Sequence, residues 1–431
     1  MAQDGHGHFG RVSSRYGFLT VPMARLLLLT PQLPYPPHQG TSLRNFHMLK
    51  ALSQEHDITL LSFTDGTETV DTSPLQKYCR VLPPLPAPYR AQGTRLKQLL
   101  TSPLPDIALR LKSEEFSAAL EKALRSTQYD AVQVEGIELA SYIHQIKNAY
   151  PEVKIVLDCH NAETELQRRA RDVDLHYPSR WLAAAYSSVQ IGRLARFEAW
   201  AMGVSDTVIA VSNTDRSYLS PMNSSKPGGI KVIPNTIDVA EYDRHRADSE
   251  GLSFDLVFTG KMDYRPNVDG VLWFAETVWP TLRDLCPAIT WAIVGQKPHS
   301  RLEILRGKEG ITITGFVPQI HPYLAASSIY IVPLRIGSGT RLKILEAMAA
   351  SLAVVSTRIG AEGFDIEDGK EMVVAESPTE WVDAIQGLLA NKERRILLGA
   401  AAHEFAWRYD WRTIIPQINQ IYSTLLRGNN G

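Results

Sequence analysis

The chain has 431 residues, 44% of them apolar and 21% charged, with a formal net charge of −1. At ~100–200 residues per domain, this length predicts two or three globular domains, each able to bury a full core. The near-neutral balance supplies no field that would draw the chain to a polyanion, so no nucleic-acid partner is expected.

Residues 1–22, MAQDGHGHFGRVSSRYGFLTVP, contain no apolar core of the kind a signal peptide carries, and Met23 directly precedes ARLLLLTP. They are expected to be a disordered extension or to lie ahead of the true start of translation. No run approaches the ~20 apolar residues that span a bilayer. Cys79, Cys159 and Cys286 lie far apart, without metal-ligand spacing, and an odd number argues against a disulfide framework. They read as small buried hydrophobes in a reducing cytoplasm.

Short apolar runs predict strands at Arg25–Thr30, Asp57–Phe63, Ala131–Val134, Lys154–Asp158, Thr207–Val211 and Lys231–Ile233. Helical patterns at Ser42–Leu52, Phe116–Ser126 and Ile137–Ala149 fall between several of them. Strands separated by helices imply a parallel sheet, because a parallel connection needs a crossover. The polar stretch Asp238–Gly251 interrupts the pattern and reads as an interdomain linker.

The alternation restarts with strands at Leu256–Thr259, Thr290–Val294, Ile311–Thr314, Ile329–Val332 and Ala353–Ser356. Helices are expected at Asn267–Leu282, Thr340–Ala350, Pro378–Leu389 and Glu393–Trp407, and a last amphipathic run, Trp411–Leu426, is placed to cross back onto the N-terminal domain. The fold class is therefore α/β, with two Rossmann-like domains facing a cleft. The expected division is an N-terminal acceptor domain, 23–240 with the crossover helix 411–427, and a C-terminal donor domain, 250–410.

The chemistry must come from the loops at the carboxyl ends of the strands, beside helix N-termini whose free amides attract anions. In RIGSGTRLKILEAMA, Gly337 and Gly339 permit close backbone approach, and Ser338 and Thr340 complete a loop leading into a helix. Arg341 and Lys343 place cations at the helix end where the dipole disfavours them, which an anionic partner would relieve. Glu346, beside Leu345 in an apolar run, is suited to accept hydrogen bonds from a ribose diol. A surface glycine turn leading into a core helix accounts for the same residue types.

In FTGKMDYRPNVDG, Lys261 and Arg265 are placed to neutralise a pyrophosphate leaving group; a solvated basic loop is the alternative. The turn GFVP, with Phe316 and Val317, could hold a nucleobase edge. In the N-terminal half, Gly40 sits where a loop turns into a helix, and His160 ends the strand Lys154–Asp158. His160 suits a contact to the transferring sugar or acceptor, or a local pairing with Asp158 or Glu163.

These motifs, densest over VIPNTID, FTGKMDYRPNVDG, WAIVG, ITGFVP, IYIVPLRIGSGTRLKILEAMA and VVSTRIGAEG, together resemble the GT-B glycosyltransferases, and within them family 4. The resemblance spans about Met23 to Leu426. It implies a nucleotide diphosphate sugar donor, retention of anomeric configuration and no metal; the sequence has no well-placed Asp-x-Asp pair. In that family a Glu-x7-Glu element gives its second glutamate to the ribose, which Glu346 matches, whereas Ser338 stands at the first position. Lys261 maps onto a diphosphate contact, with Arg265 substituting for a lysine that is absent as lysine from Arg265–Asn267. The resemblance also places GFVP at the base, His160 at the donor sugar and Gly40 near the diphosphate.

The expected partners are the donor and a glycan or lipid-linked acceptor, in glycan, polysaccharide or glycolipid synthesis. Basic, partly apolar stretches around Arg90, Arg95, Lys97, Arg110 and Lys112, and around Arg168, Arg169, Arg171 and Arg180, raise peripheral contact with the inner face of a membrane; solvated faces are the alternative. A sugar-nucleotide epimerase of the same fold and a non-catalytic nucleotide-sugar-binding subunit also fit. A dehydrogenase fits less well, because neither domain's first strand is followed by Gly-x-Gly-x-x-Gly.

Overall fold

The computed structural model describes residues 23–37, 40–64, 71–223, 229–249, 251–337 and 339–427. The expected extension, 1–22, and Ser338 lie outside the described residues.

Eight strands of the first half form one sheet: β1 (Arg25–Thr30), β2 (Asp57–Thr64), β3 (Arg80–Val81), β4 (Leu85–Pro86), β5 (Ala131–Glu135), β6 (Lys154–Cys159), β7 (Thr207–Ala210) and β8 (Ile230–Val232). The order is β3-β2-β1-β5-β6-β7-β8, with β4 also on β2, and every pairing is parallel. Side chains alternate across a strand, so a sheet covered on both faces needs continuous apolar runs. That is what RLLLLT provides. Leu27 and Leu29 enter one core with Phe116, Val134 and Leu157. Leu26 and Leu28 enter another with Leu49, Val156, Ile414 and Tyr422.

The second sheet comprises β9 (Phe254–Thr259), β10 (Trp291–Val294), β11 (Ile311–Ile313), β12 (Ser327–Val332), β13 (Ala353–Ser356) and β14 (Val373–Val374). Its order, β11-β10-β9-β12-β13-β14, is again parallel throughout. The winding direction reverses between β9 and β12, and in the first sheet between β1 and β5. At such points the loops from two neighbouring strands part and leave a crevice. The glycine loop follows β12 and the Lys261 loop follows β9, so both flank one crevice.

The helix Trp411–Arg427 crosses back as expected, burying Ile414, Ile418, Ile421 and Tyr422 against the first half. The stretch read as a linker is more than a spacer. Val239–Arg244 is helical, and its Val239 and Tyr242 are buried in the second half's core. The helix expected over Asn267–Leu282 is two, Arg265–Thr277 and Trp279–Leu285. Pro280, which lacks an amide hydrogen, sits in the first turn of the second. Among the described residues, no helix is long and apolar enough to cross a membrane.

Candidate active site

The second half supplies a cradle of glycines. Gly260 and Gly295 end the neighbouring strands β9 and β10 with φ of +150° and +157°. A Cβ on Gly295 would lie 1.7 Å from the Gly260 carbonyl oxygen, so only glycine allows the two strand ends to approach this closely. In the loop after β12, a Cβ on Gly337 would meet the Arg341 guanidinium at 1.9 Å. Arg341 folds back over the loop and donates from Nη1 to the Gly339 carbonyl at 2.9 Å. Gly339 has φ +77°.

The first half closes over this loop. A Cβ on Gly339 would lie 3.0 Å from Asn161 Oδ1 and 3.2 Å from the His160 carbonyl oxygen. The Gly339 amide donates to buried Asp215 Oδ1 at 3.1 Å, and Asn235 Nδ2 donates to the Thr340 carbonyl at 3.0 Å. Arg169 donates to the Gly337 carbonyl at 2.6 Å and forms a two-pronged ion pair with Glu362. Gly40 opens the helix Gly40–Leu52, and a Cβ there would meet Leu342 Cδ1 at 3.4 Å. His160, Gly40, Gly337, Gly339, Thr340 and Arg341 are therefore brought to one junction.

Glu346 lies one turn into the helix Leu342–Ala349. Burial pushes its carboxyl up to about 7, against the opposing pull of Lys343 and a hydrogen bond donated by the Tyr242 hydroxyl. Leu345 is fully buried and anchors this helix in the second half's core. Lys343 is pushed down to about 7 by burial first and by repulsion from Arg341, against the attraction of Glu346.

The other expected residues are placed less uniformly. Lys261 is on the loop after β9, 3.9 Å from Asp263 Oδ1. Arg265 reaches across to the first half, pairing with Asp174 at 2.6 Å and donating to the Ala170 carbonyl at 3.0 Å. Phe316 stands exposed on the turn after β11, and Val317 packs against the second half's core.

His160 pairs neither with Asp158 nor with Glu163. Its Nε2 lies 2.9 Å from Oε2 of Glu135, a fully buried carboxylate at the end of β5. Asp158 is engaged instead by Arg44 through bonds of 3.0 and 2.8 Å. Glu135, Asp158 and His160 offer ligand atoms within 4.8 Å of one another, a spacing a metal could use. The Arg44 guanidinium already balances the Asp158 charge, so a cation there would meet a positive neighbour. Glu135, Asn161, Asp215 and Asn235 escape the sequence reading, because single polar residues at a strand end, in a loop or in a helix's first turn carry no spacing pattern.

An apolar hollow of ≈ 280 Å³ lies elsewhere, lined by Leu96, Leu99, Leu104, Leu109 and Tyr186. Most of the basic residues in the two stretches above are paired with acids: Arg90 and Arg95 with Asp106, Arg110 with Glu138, Arg168 with Glu165, Arg171 with Asp172 and Arg180 with Asp174.

Two parallel α/β sheets with a glycine cradle at their junction are the GT-B architecture. Residues 39–241 match the family model Glycosyltransferase Family 4, and residues 253–391 match Glycosyl transferases group 1. The chain belongs to this family of group 1, family 4 glycosyltransferases. It is 24% identical over 372 residues to an uncharacterized 44.6 kDa protein in the cps region of Klebsiella pneumoniae, covering 82% of this chain and 88% of that one. Among solved structures it resembles sucrose-phosphate synthase from Thermosynechococcus elongatus, with TM-score 0.70, 17% identity, and 94% and 100% of the two chains covered. It also resembles Anabaena HepE in complex with UDP-glucose, with TM-score 0.64, 16% identity and coverage of 93% and 99%. At these identities the structural likenesses speak for the fold.

Proposed function

We propose that this chain is a retaining, metal-independent glycosyltransferase that moves a sugar from a nucleotide diphosphate donor to an acceptor hydroxyl in glycan, polysaccharide or glycolipid synthesis. The observation that carries the reading is the meeting of Gly339 with Asn161 and the His160 carbonyl, which sets the loop of one half against the strand end of the other.

In this reading Glu346 holds the ribose diol, each charge-assisted bond contributing roughly 1.5–3 kcal/mol. Lys261, Arg341 and the Gly337 amide hold the diphosphate, while the Gly339 amide is spent on Asp215 and fixes the loop. The bond from the sugar's C1 to the diphosphate oxygen breaks as the acceptor oxygen bonds to C1, and the hydroxyl proton leaves with the nucleoside diphosphate. Cations and amides fixed around the departing oxygens stabilise the charge that grows there, without reorganising at the moment of reaction. Gly40 and His160 close over the sugar and exclude water, which limits hydrolysis. Retention comes from the family resemblance. Metal independence likewise comes from the family resemblance. The HepE structure, solved with UDP-glucose, supports a nucleotide sugar as donor.

The same reading places the protein in the cytoplasm with peripheral contact to a membrane face, where a lipid-linked acceptor would be met. Its support is the helix Gln92–Thr101, which has no buried residue and exposes Leu96 and Leu100.

A thermal-shift screen over nucleoside diphosphates and their sugars tests the donor site, since a ligand raises stability by RT ln(1 + [L]/Kd). One nucleotide series should stabilise the protein, and transfer from its sugar should fall on the order of 10²-fold in Lys261→Ala. Full transfer by both Lys261→Ala and Glu346→Ala would overturn the site assignment.

A further inference from the structure

With Arg265 committed to Asp174 and the Ala170 carbonyl, a different cation stands at the crevice. Lys343 Nζ lies 2.7 Å from Asn267 Oδ1 and 4.1 Å from the centre of the Phe258 ring. A Cβ on Gly260 would come within 2.7 Å of the same Nζ, which puts the amine directly over the carboxyl end of β9.

We propose that Lys343 is a direct ligand of the donor's diphosphate, held at the carboxyl end of β9 by Asn267. The inference rests on the reading of this crevice as a nucleotide-sugar site. Three features of the packing support it. Asn267 is buried and its Nδ2 donates to the Lys261 carbonyl at 2.8 Å, which fixes its amide oxygen towards Lys343. That oxygen takes one of the three hydrogens an ammonium offers. Among the described residues, no carboxylate forms an ion pair with Lys343, although Glu346 is three positions along the same helix. A partly buried ammonium without a paired carboxylate is unfavourable until an anion arrives.

The ionisable groups around Lys343 set its titration. Glu346 attracts it and Arg341 repels it. Tyr242 and Glu241, both on the helix Val239–Arg244, act on that Glu346 carboxylate, the first through a hydrogen bond and the second by repulsion. At pH 8 the amine, pushed down to about 7, is mainly neutral. Contact with a diphosphate then draws a proton onto it.

The test is calorimetric titration of the full chain at pH 8 with UDP, GDP and their nucleosides, in two buffers of different ionisation enthalpy. Wild type, Lys343→Met, Lys343→Arg and Arg265→Met are compared. The expected result is net proton uptake when wild type binds a diphosphate. Lys343→Met should lose that uptake and ~30-fold or more in diphosphate affinity, about 2 kcal/mol, with nucleoside affinity unchanged. Lys343→Arg, which keeps the charge but titrates far from pH 8, should bind without the uptake. Arg265→Met should keep it. Unchanged diphosphate affinity and proton uptake in Lys343→Met, or uptake that survives in Lys343→Arg, would overturn the assignment while leaving the donor site standing. A wild-type protein that binds neither diphosphate would overturn both.

Discussion

Glu135 and His160, 25 positions apart in sequence, meet at 2.9 Å where β5 and β6 end, and the carboxylate side of this pair has no solvent exposure. Burial and the neighbouring Asp158 charge raise the Glu135 carboxyl, while the bond to His160 opposes that rise. For His160, burial alone would lower the pKa, but the Glu135 hydrogen bond and the Asp158 charge outweigh it and the net shift is upward. The imidazolium is thus favoured, and the bond to Nε2 orients the ring beside the glycine loop.

Glu135→Gln should therefore lower the His160 pKa to its ordinary value or below. The stabilisation that the raised pKa confers is fully present below the unfolded value of ~6.5 and is lost as pH rises through the folded value. An NMR titration of the His160 ring should show the drop, and transfer should fall ~10-fold or more near neutral pH with its pH profile displaced to the acid side. A ring that titrates as in wild type would show that Glu135 does not govern it.

Arg169 ties the two halves together, bonding the Gly337 carbonyl and Glu362 on one side and the Tyr218 hydroxyl on the other. Removing one partner of a partly buried pair leaves a carboxylate without its cation. Arg169→Met should shift the population towards an open cleft. Solution scattering should then give a larger radius of gyration, and the ratio of donor hydrolysis to transfer should rise, because the closed form is what excludes water. Unaltered scattering and hydrolysis would mean the contact is incidental to closure.

Most arginines of the two basic stretches already pair with acids, so any membrane contact must rest on apolar exposure. Tyr89, Leu96 and Leu100 are 92%, 61% and 77% exposed. Vesicles rich in anionic lipid should co-sediment the protein weakly, with some loss in high salt because Lys97 shares the helix Gln92–Thr101. The double variant Leu96→Asp, Leu100→Asp should abolish sedimentation while transfer to a water-soluble acceptor persists. Equal sedimentation of this variant would remove that surface from consideration.

Long buried strands were legible from sequence because parallel sheets covered on both faces need uninterrupted apolar runs, as in the LLLL of β1 and the LVF of β9. The two-residue strands β3, β4 and β14 were not, since two residues establish no period. The helices Glu163–Leu175 and Trp181–Val204 also escaped. The first is dominated by charge, and in WLAAAYSSVQIGRLARFEAW the apolar residues run around the whole circumference. Two of their buried positions, Asp174 and Glu198, are set by polar partners. In the candidate site, Gly40, Gly337, Gly339 and Glu346 stand out locally as loop glycines and a lone acid in an apolar run, whereas the approach of Gly260 to Gly295 depends on the pairing of β9 with β10. The direction of Arg265 was not legible, because it depends on Asp174 in the opposite half.

His47 gives the joint between the halves an acid sensitivity. It is buried on the helix Gly40–Leu52, with Nδ1 2.8 Å from the Thr236 hydroxyl and its ring stacked on Trp411 of the crossover helix at 6.2 Å. Burial, reinforced by Lys50, lowers its pKa to about 4. Between that value and the unfolded value of ~6.5, the unfolded chain binds a proton that the folded chain does not. Stability should therefore fall as pH drops through this window, by an amount on the order of 3 kcal/mol for this group alone. His321, also lowered to about 4 by burial, adds to the same slope. Melting temperatures measured from pH 7 to 4 should decline more steeply in wild type than in His47→Gln, in which only the His321 share of the two persists. Parallel curves for the two proteins would mean that His47 is protonated without disturbing its contacts with Thr236 and Trp411.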